Sequence, residues 1–348
     1  MFVLNAWYVA AWADEIRDRP LARTICNEAI VMYREHGSRR VAALHDRCPH
    51  RGVPLHLGQV VEAGLQCGYH GLVLDGGGKC VFIPGQDRIP GKAAVRSFPV
   101  VEKDGLLWIW MGDAAKADAS TIVDCWWHND AATWPHKQEM YRVKANAMFL
   151  VDNLMDLTHL GYVHKSTIGG NPRAHTEAEM KVTPKETGLH FMRWLMNQDP
   201  PPSFRKAVPF KGKVDRWMEF EFFAPGAIVQ WSGALDVDRD ARRNRDQDGG
   251  FSVRLFHGLT PETESSSYYF WSTANGYRQD DPQAGETFFN EIALAFNEDK
   301  LVVEAQQLAL DRHGDEGLVD MVSDSARVHM RRIVNRMMTG EAAAGSAG

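Results

Sequence analysis

Cys48-Pro49-His50-Arg51-Gly52 and Cys67-Gly68-Tyr69-His70-Gly71-Leu72, with sixteen residues between His50 and Cys67, limit the fold more than any other part of this chain. Each segment carries one thiol and one imidazole beside a Gly or Pro turn residue, so two facing loops can present four ligands to one metal group. A structural zinc site of the same composition usually draws on pairs of one kind, two Cys and then two His. Here each pair is mixed.

A Rieske [2Fe-2S] centre needs two thiolates on one iron and two imidazoles on the other, one Cys and one His from each loop, and Cys48, His50, Cys67 and His70 meet that need. Asp75-Gly76-Gly77-Gly78-Lys79 follows as a glycine-rich turn. Residues 1 to 110 otherwise read as short strands, over 22–33, 40–44 and 105–110, between Gly, Pro and charged turns, which implies a small antiparallel all-β domain. The five cysteines are odd in number and irregularly spaced, against a disulfide framework and for metal ligation by some of them. Cys26 and Cys125 read as buried small apolar residues, and Cys80 as packing beside the cluster loop.

With 348 residues the chain is too long for one ordinary core, and two domains are expected. Its net charge of -6 gives no electrostatic footprint for nucleic acid or an anionic membrane. The opening residues lack a basic segment followed by an apolar run and cleavage site, and no window is apolar for 18 residues, so a cytoplasmic protein without membrane partners is expected.

The small and charged residues of 112–120 mark the connection between domains, giving 1–118, 119–340 and a flexible small-residue tail at 341–348. Strands are expected over 188–194, 217–223, 227–231, 251–259 and 266–271, and helices over 148–163, 285–311 and 324–338, which makes the second domain an antiparallel sheet with flanking helices and the whole chain α+β. The nine charges of 236–250 read as a solvated loop without an apolar anchor.

Asn153-Leu154-Met155-Asp156-Leu157-Thr158-His159-Leu160-Gly161-Tyr162-Val163-His164 holds two histidines and a carboxylate close enough to bind a metal. On a regular helix Asp156 and His159 share a face, with Asn153 one turn back, but His164 lies about 140° from His159. Both imidazoles meet one ion only if the helix loosens or ends between them, and Gly161 is where that is expected. The plain alternative is two unrelated histidines, one on the helix face and one in the core.

Together with the opening Asn5-Ala6-Trp7-Tyr8-Val9-Ala10, these motifs resemble the oxygenase components of Rieske non-haem iron oxygenases, most specifically the vanillate O-demethylase type and its relatives acting on dicamba and toluenesulfonate. The resemblance implies a mononuclear Fe(II) held by His159, His164 and one late-helix aspartate, Asp299 in Asn297-Glu298-Asp299-Lys300, with Glu298 and Glu304 as weaker candidates. Two histidines and a carboxylate on one face leave positions open for dioxygen. It also implies that Asp156 bridges an iron-ligating histidine and His70 of a neighbouring subunit in a homotrimer, that Asn153 lies near the iron, and that His257 contacts substrate.

The activity implied is O2-dependent oxidation of a small aromatic substrate, with O-demethylation of a methoxylated aromatic acid such as vanillate foremost. Ring cis-dihydroxylation and toluenesulfonate methyl hydroxylation use the same machinery. The chain has no G-x-G-x-x-G after a strand, so NADH enters through a separate flavin and iron-sulfur reductase. An electron carrier without oxygenase activity, or a zinc-stabilised interaction protein, would need no iron triad. Phe191, Trp194, Phe204, Trp217, Trp231 and Trp271 offer aromatic surface, read as core more than pocket, and no Arg or Lys stands out as partner for a substrate acid group.

Overall fold

The computed structural model describes residues 1–245 and 249–345. They divide into two compact units, one of Met1–Ile122 with Thr260–Glu264 and one built on Val123–Leu259 and the residues from Ser265 onward. Sequence reading placed the division after residue 118 and did not foresee the excursion at 260–264.

The first unit holds β1 (Trp7–Trp12), β2 (Leu21–Ile25), β3 (Glu28–Arg34), β4 (Val41–His45), β5 (Gln59–Val61), β6 (Gly64–Gln66), β7 (Val73–Leu74), β8 (Cys80–Phe82), β9 (Ser97–Phe98), β10 (Val100–Lys103) and β11 (Leu106–Trp110). They form three small sheets, in the orders β1-β11-β10, β2-β3-β4-β9 and β5-β6-β7-β8. The single strand expected over 22–33 is a hairpin. Cys26 and Asn27 both take positive φ, 51° and 67°, and Ile25 pairs with Glu28 across them. Two consecutive left-handed residues give the tight turn that matches strand twist, and a cysteine there gives no sequence warning. Cys48, Cys67 and Cys80 share one apolar cluster with Leu44, Leu65 and Leu74, so Cys80 does pack beside the cluster loops.

The second unit is organised by one seven-stranded antiparallel sheet, ordered β12-β18-β17-β16-β15-β14-β13. Its strands are β12 (His136–Val143), β13 (Glu179–Pro184), β14 (Gly188–Gln198), β15 (Val214–Phe223), β16 (Ala227–Asp236), β17 (Phe251–Thr263) and β18 (Ser266–Asn275). The helices are α1 (Ala147–Met155), α2 (Leu160–Val163), α3 (Pro172–Thr176), α4 (Pro202–Ala207), α5 (Ala241–Asn244), α6 (Pro282–His313) and α7 (Ser325–Gly345).

The 32-residue α6 starts where the Asp281 carboxylate accepts the Gln283 N–H and stops at Gly314, whose φ is 74°. Phe288, Ile292, Phe296, Asp299 and Val303 form its buried stripe and pack it on β12 and β18. Leu308 is 66 % exposed, because five residues beyond Val303 is about 140° off a helical face.

Two expected loops are structured. The charged stretch after β16 forms a 3₁₀ turn, Val237–Arg239, and then α5, whose fully buried Ala241 packs with Trp217 and Leu235; a small apolar residue thus supplies the anchor that the charge count concealed. Residues 246–248 of that stretch lie outside the described residues. The tail expected from 341 continues α7 as far as Gly345, its alanines propagating the helix. Residues 346–348 are outside the description. No helix among the described residues is long and apolar enough to cross a membrane.

Candidate metal centres

The two ligand loops of the first unit are built alike. The Cys48 N–H donates to Val53 O and the Gly52 N–H to Cys48 O, at 2.8 and 2.9 Å; the Cys67 N–H donates to Leu72 O and the Gly71 N–H to Cys67 O, at 2.7 and 3.0 Å. Gly52 and Gly71 have φ of 72° and 73°, a left-handed turn that a side chain would strain. This repeated turn buries the thiols of Cys48 and Cys67, at 3 % and 2 % exposure, and leaves both imidazoles at the surface, their ring centroids 4.6 Å apart. Burial, reinforced by the neighbouring Cys67, pushes the Cys48 thiol above its ordinary pKa. Two buried thiols and the adjacent imidazole pair together make up the mixed donor set of a Rieske group.

The second set lies in the second unit. His159, His164 and Asp299 bring their ligand atoms within 4.8 Å of one another. Asp299 Oδ1 is 3.4 Å from His159 Nε2 and 3.1 Å from His164 Nε2. Both rings are fixed from behind, the His159 Nδ1–H by the Asp156 main-chain carbonyl at 2.5 Å and the His164 Nδ1–H by Glu298 Oε2 at 2.8 Å. Those acceptors hold a proton on Nδ1, so Nε2 is the nitrogen that faces Asp299 and the one that would give its lone pair to a cation placed at the shared point. Asn153 Nδ2 donates to Asp299 Oδ1 at 3.0 Å. Burial alone would raise the Asp299 pKa, but the two imidazoles outweigh it and hold the carboxyl well below its usual range. Burial likewise opposes the charge on His164, which Asp299 and Glu298 restore by raising its pKa.

The chain path that allows this differs from the single helix expected over 148–163. α1 ends at Asp156, whose extended backbone, φ -121° and ψ 106°, breaks it; a 3₁₀ turn over Leu157–His159 and the single turn of α2 follow. Asp156 causes the break, since its Oδ1 accepts the N–H and hydroxyl of Thr158 at 2.9 and 2.8 Å and caps the new turn. Gly161 is no breaking point. A Cβ there would stand 2.3 Å from Pro172 Cα, so the glycine serves the close approach of α2 to α3.

Two family models match the chain, the Rieske [2Fe-2S] domain over residues 6–99 and the vanillate O-demethylase oxygenase C-terminal domain over 143–340. The chain belongs to the Rieske non-haem iron oxygenases of the vanillate O-demethylase type. It is 38 % identical over 342 residues to a putative toluene-4-sulfonate monooxygenase system iron-sulfur subunit of Comamonas testosteroni, covering 98 % of each chain. It is 36 % identical over 352 residues to a vanillate O-demethylase oxygenase subunit of a Pseudomonas species, covering 100 % of this chain and 98 % of that one. The crystal structure of dicamba monooxygenase bound to dicamba superposes with a TM-score of 0.89 at 35 % identity, over 98 % of this chain and 99 % of that chain. This oxygenase is therefore an oxidoreductase component that uses a Rieske [2Fe-2S] cluster and non-haem iron.

The oxygenase's triad lies in a half-open pocket with about 600 Å³ of empty space, counted out into solvent. Strand register explains its wall. Phe220, Gln230 and Leu255 lie side by side across β15, β16 and β17, then Met218, Ser232 and Val253, then Arg216, Ala234 and Phe251. All but Ala234 line the cavity, opposite Leu154, Leu157 and Leu160 of the broken helix segment. His257 occupies the next row, beside Ile228, and is fully buried behind the wall. Its Nε2–H donates to Gln230 Oε1 at 3.0 Å and its Nδ1 accepts the Tyr269 hydroxyl at 2.8 Å, while burial lowers its pKa to about 3. A neutral histidine with both nitrogens engaged orients Gln230, whose Nε2 donates in turn to Ser232 Oγ at 2.7 Å. Of the six aromatic residues singled out from the sequence, only Phe204 lines the cavity.

Sequence reading missed Glu298 as the acceptor for His164 and Arg216 as a lining residue. For Arg216 the signal was present. The inward face of β15 reads Val214, Arg216, Met218, Phe220, Phe222, a charge set into an apolar alternation.

Proposed function

We propose that this oxygenase removes the methyl group of a methoxylated aromatic acid, of which vanillate is the model, as formaldehyde. The observation that carries the reading is the triad's position in a largely apolar pocket walled by leucine, methionine, valine and phenylalanine side chains. The vanillate and dicamba relatives are O-demethylases by name, which favours the methyl ether over a ring carbon as the position oxidised.

When bound, iron at His159, His164 and Asp299 supplies dioxygen activation, and the cluster between the two loops supplies electrons for it. The chain's own part is positional. The Asp156 carbonyl and Glu298 hold the imidazoles, Asn153 steadies Asp299, and the leucines of 154, 157 and 160 keep bulk water from the reacting carbon. Hydroxylation of the methyl carbon yields a hemiacetal, which collapses to phenol and formaldehyde without further help.

Electrons come from NADH through a separate flavin and iron-sulfur reductase, in the cytoplasm. The exposed imidazoles of His50 and His70 suit transfer to another chain. A homotrimer in which His70 of one chain meets Asp156 of the next is the arrangement we favour; a sedimentation mass other than three chains would remove it. The main test is formaldehyde release from a panel of methoxybenzoates with a reconstituted reductase. One formaldehyde per O2 consumed is expected from at least one of them. Hydroxylated product that retains its methoxy group would favour the ring-oxidation reading instead.

A further inference from the structure

The wall described above carries one charge that the metal chemistry does not use. Arg216 is 3 % exposed, and among the described residues it forms no ion pair with a carboxylate. Its guanidinium donates only to two main-chain oxygens, Ile168 O at 3.2 Å and Gly169 O at 3.4 Å, and its Nε has no partner. Five N–H donors with two long bonds leave most of the fork unused. The group sits over the Phe204 ring, 4.8 Å from its centroid, in the same cavity as the triad.

Among the described residues no carboxylate bonds to this charge. The neighbouring buried cation is Arg193, 2 % exposed, whose Nη2 donates to His175 O while Nε and Nη1 stay unpartnered. A buried guanidinium without an anion is costly, because the water it gave up is not replaced by an opposite charge. Such a group persists where something that binds brings the missing charge.

Its place along the wall is also informative. Same-face rows in an antiparallel sheet repeat every two residues, about 7 Å apart. Arg216 is in the row of Phe251, and His257 is three rows along the wall from it. Phe251 of that row packs on Phe288 of α6, ring centroids 5.4 Å apart, and Asp299 lies eleven residues further along the same helix, about 16 Å down its axis. The triad's carboxylate and the arginine thus belong to opposite ends of one cavity with apolar walls between them.

We propose that Arg216 receives the anionic group, carboxylate or sulfonate, of the aromatic substrate and so presents the opposite end of the ring to the triad. Ser232, diagonal to Arg216 on the facing strand, is the second donor: its oxygen already accepts from Gln230, and its own O–H is left to turn towards the cavity. The planar fork matches either anion with paired hydrogen bonds. Neutral aromatics of the same shape leave the charge buried and unpaired, so the site discriminates against them. This assignment rests on the substrate reading above and adds to it the residue that selects acids.

The test is equilibrium binding to the iron- and cluster-loaded enzyme under argon, so that no turnover is required, with para-methoxybenzoate, para-methoxybenzenesulfonate and neutral para-methoxybenzamide as probes. Wild type is expected to hold both anions about 100-fold more tightly than the amide, the scale seen when a buried charge pair gains or loses a partner. Arg216→Gln should collapse that ratio towards unity, and Arg216→Lys should restore part of it. Absence of any anion preference in the wild type overturns the proposal without recourse to a variant. Survival of the preference in iron-loaded Arg216→Gln overturns it equally. An anion preference that depends on Arg216, found in an enzyme that releases no formaldehyde, supports the anion site and rejects demethylation, so the two claims fail separately.

Discussion

The two metal sites of this oxygenase are built on opposite plans. In the first unit the four candidate ligands come from two loops that lie close in sequence, each closed by its own pair of main-chain hydrogen bonds and a left-handed glycine. In the second, the three candidate ligands are residues 159, 164 and 299, which meet where α1 breaks at Asp156 and α6 supplies Asp299. The first exposes its imidazoles and buries its thiols; the second buries His164 and Asp299 at the end of a cavity. An electron-accepting group has to be approached by a partner, whereas an oxidising one has to be shielded from everything except substrate. Local loops serve the former, and tertiary assembly the latter.

The largest expected effects come from breaking each site alone. Asp299→Ala should lower iron from three to two per chain and reduce substrate oxidation to background, while the visible spectrum of the cluster persists. Cys67→Ser should do the reverse, bleaching the cluster while the triad retains iron. Metal analysis beside absorption spectra decides, and joint loss of both metals in either variant would refute the independence of the sites.

A smaller effect sharpens the contrast in how the rings are held. Glu298→Ala removes the acceptor behind His164 without touching a ligand atom. Iron affinity of the triad should fall about 10- to 100-fold, the usual cost of an outer hydrogen-bond partner. Iron competition with a chelator measures it, and unchanged affinity would mean that burial alone orients His164.

Smaller again is Gly161→Ala. Its Cβ would meet Pro172 Cα at 2.3 Å, backbone that cannot swing aside. Overpacking of this kind costs about 1–3 kcal/mol, visible in denaturant unfolding, and the cluster spectrum should not change. Wild-type stability in this variant would show that α2 and α3 can separate freely.

The same contrast governs what the sequence disclosed. Mixed C/H pairs at turn residues carry their geometry locally, so the cluster and its β scaffold were readable, apart from a hairpin hidden behind Cys26. For the triad, His159 and His164 were visible as a spacing, but the break that joins them depends on an Asp156 carboxylate capping its own chain, and no periodicity reports that. Asp299 could be chosen only through family resemblance, because α6 carries several acids and burial selects one. The pocket was least legible. His257 stood out as a residue type, yet strand register places it one row behind the cavity wall, and Arg216, in the wall itself, was passed over as one charge among many.

The central claim is that the two sites work as one oxidising unit, and single turnover tests it most directly. The cluster is reduced anaerobically, substrate is added, and oxygen is admitted while the cluster spectrum and the product are followed together. The account predicts rapid reoxidation of the cluster with product formed in step in the wild type, and a cluster that stays reduced without product in Asp299→Ala. Equal reoxidation and equal product in the two proteins would contradict it.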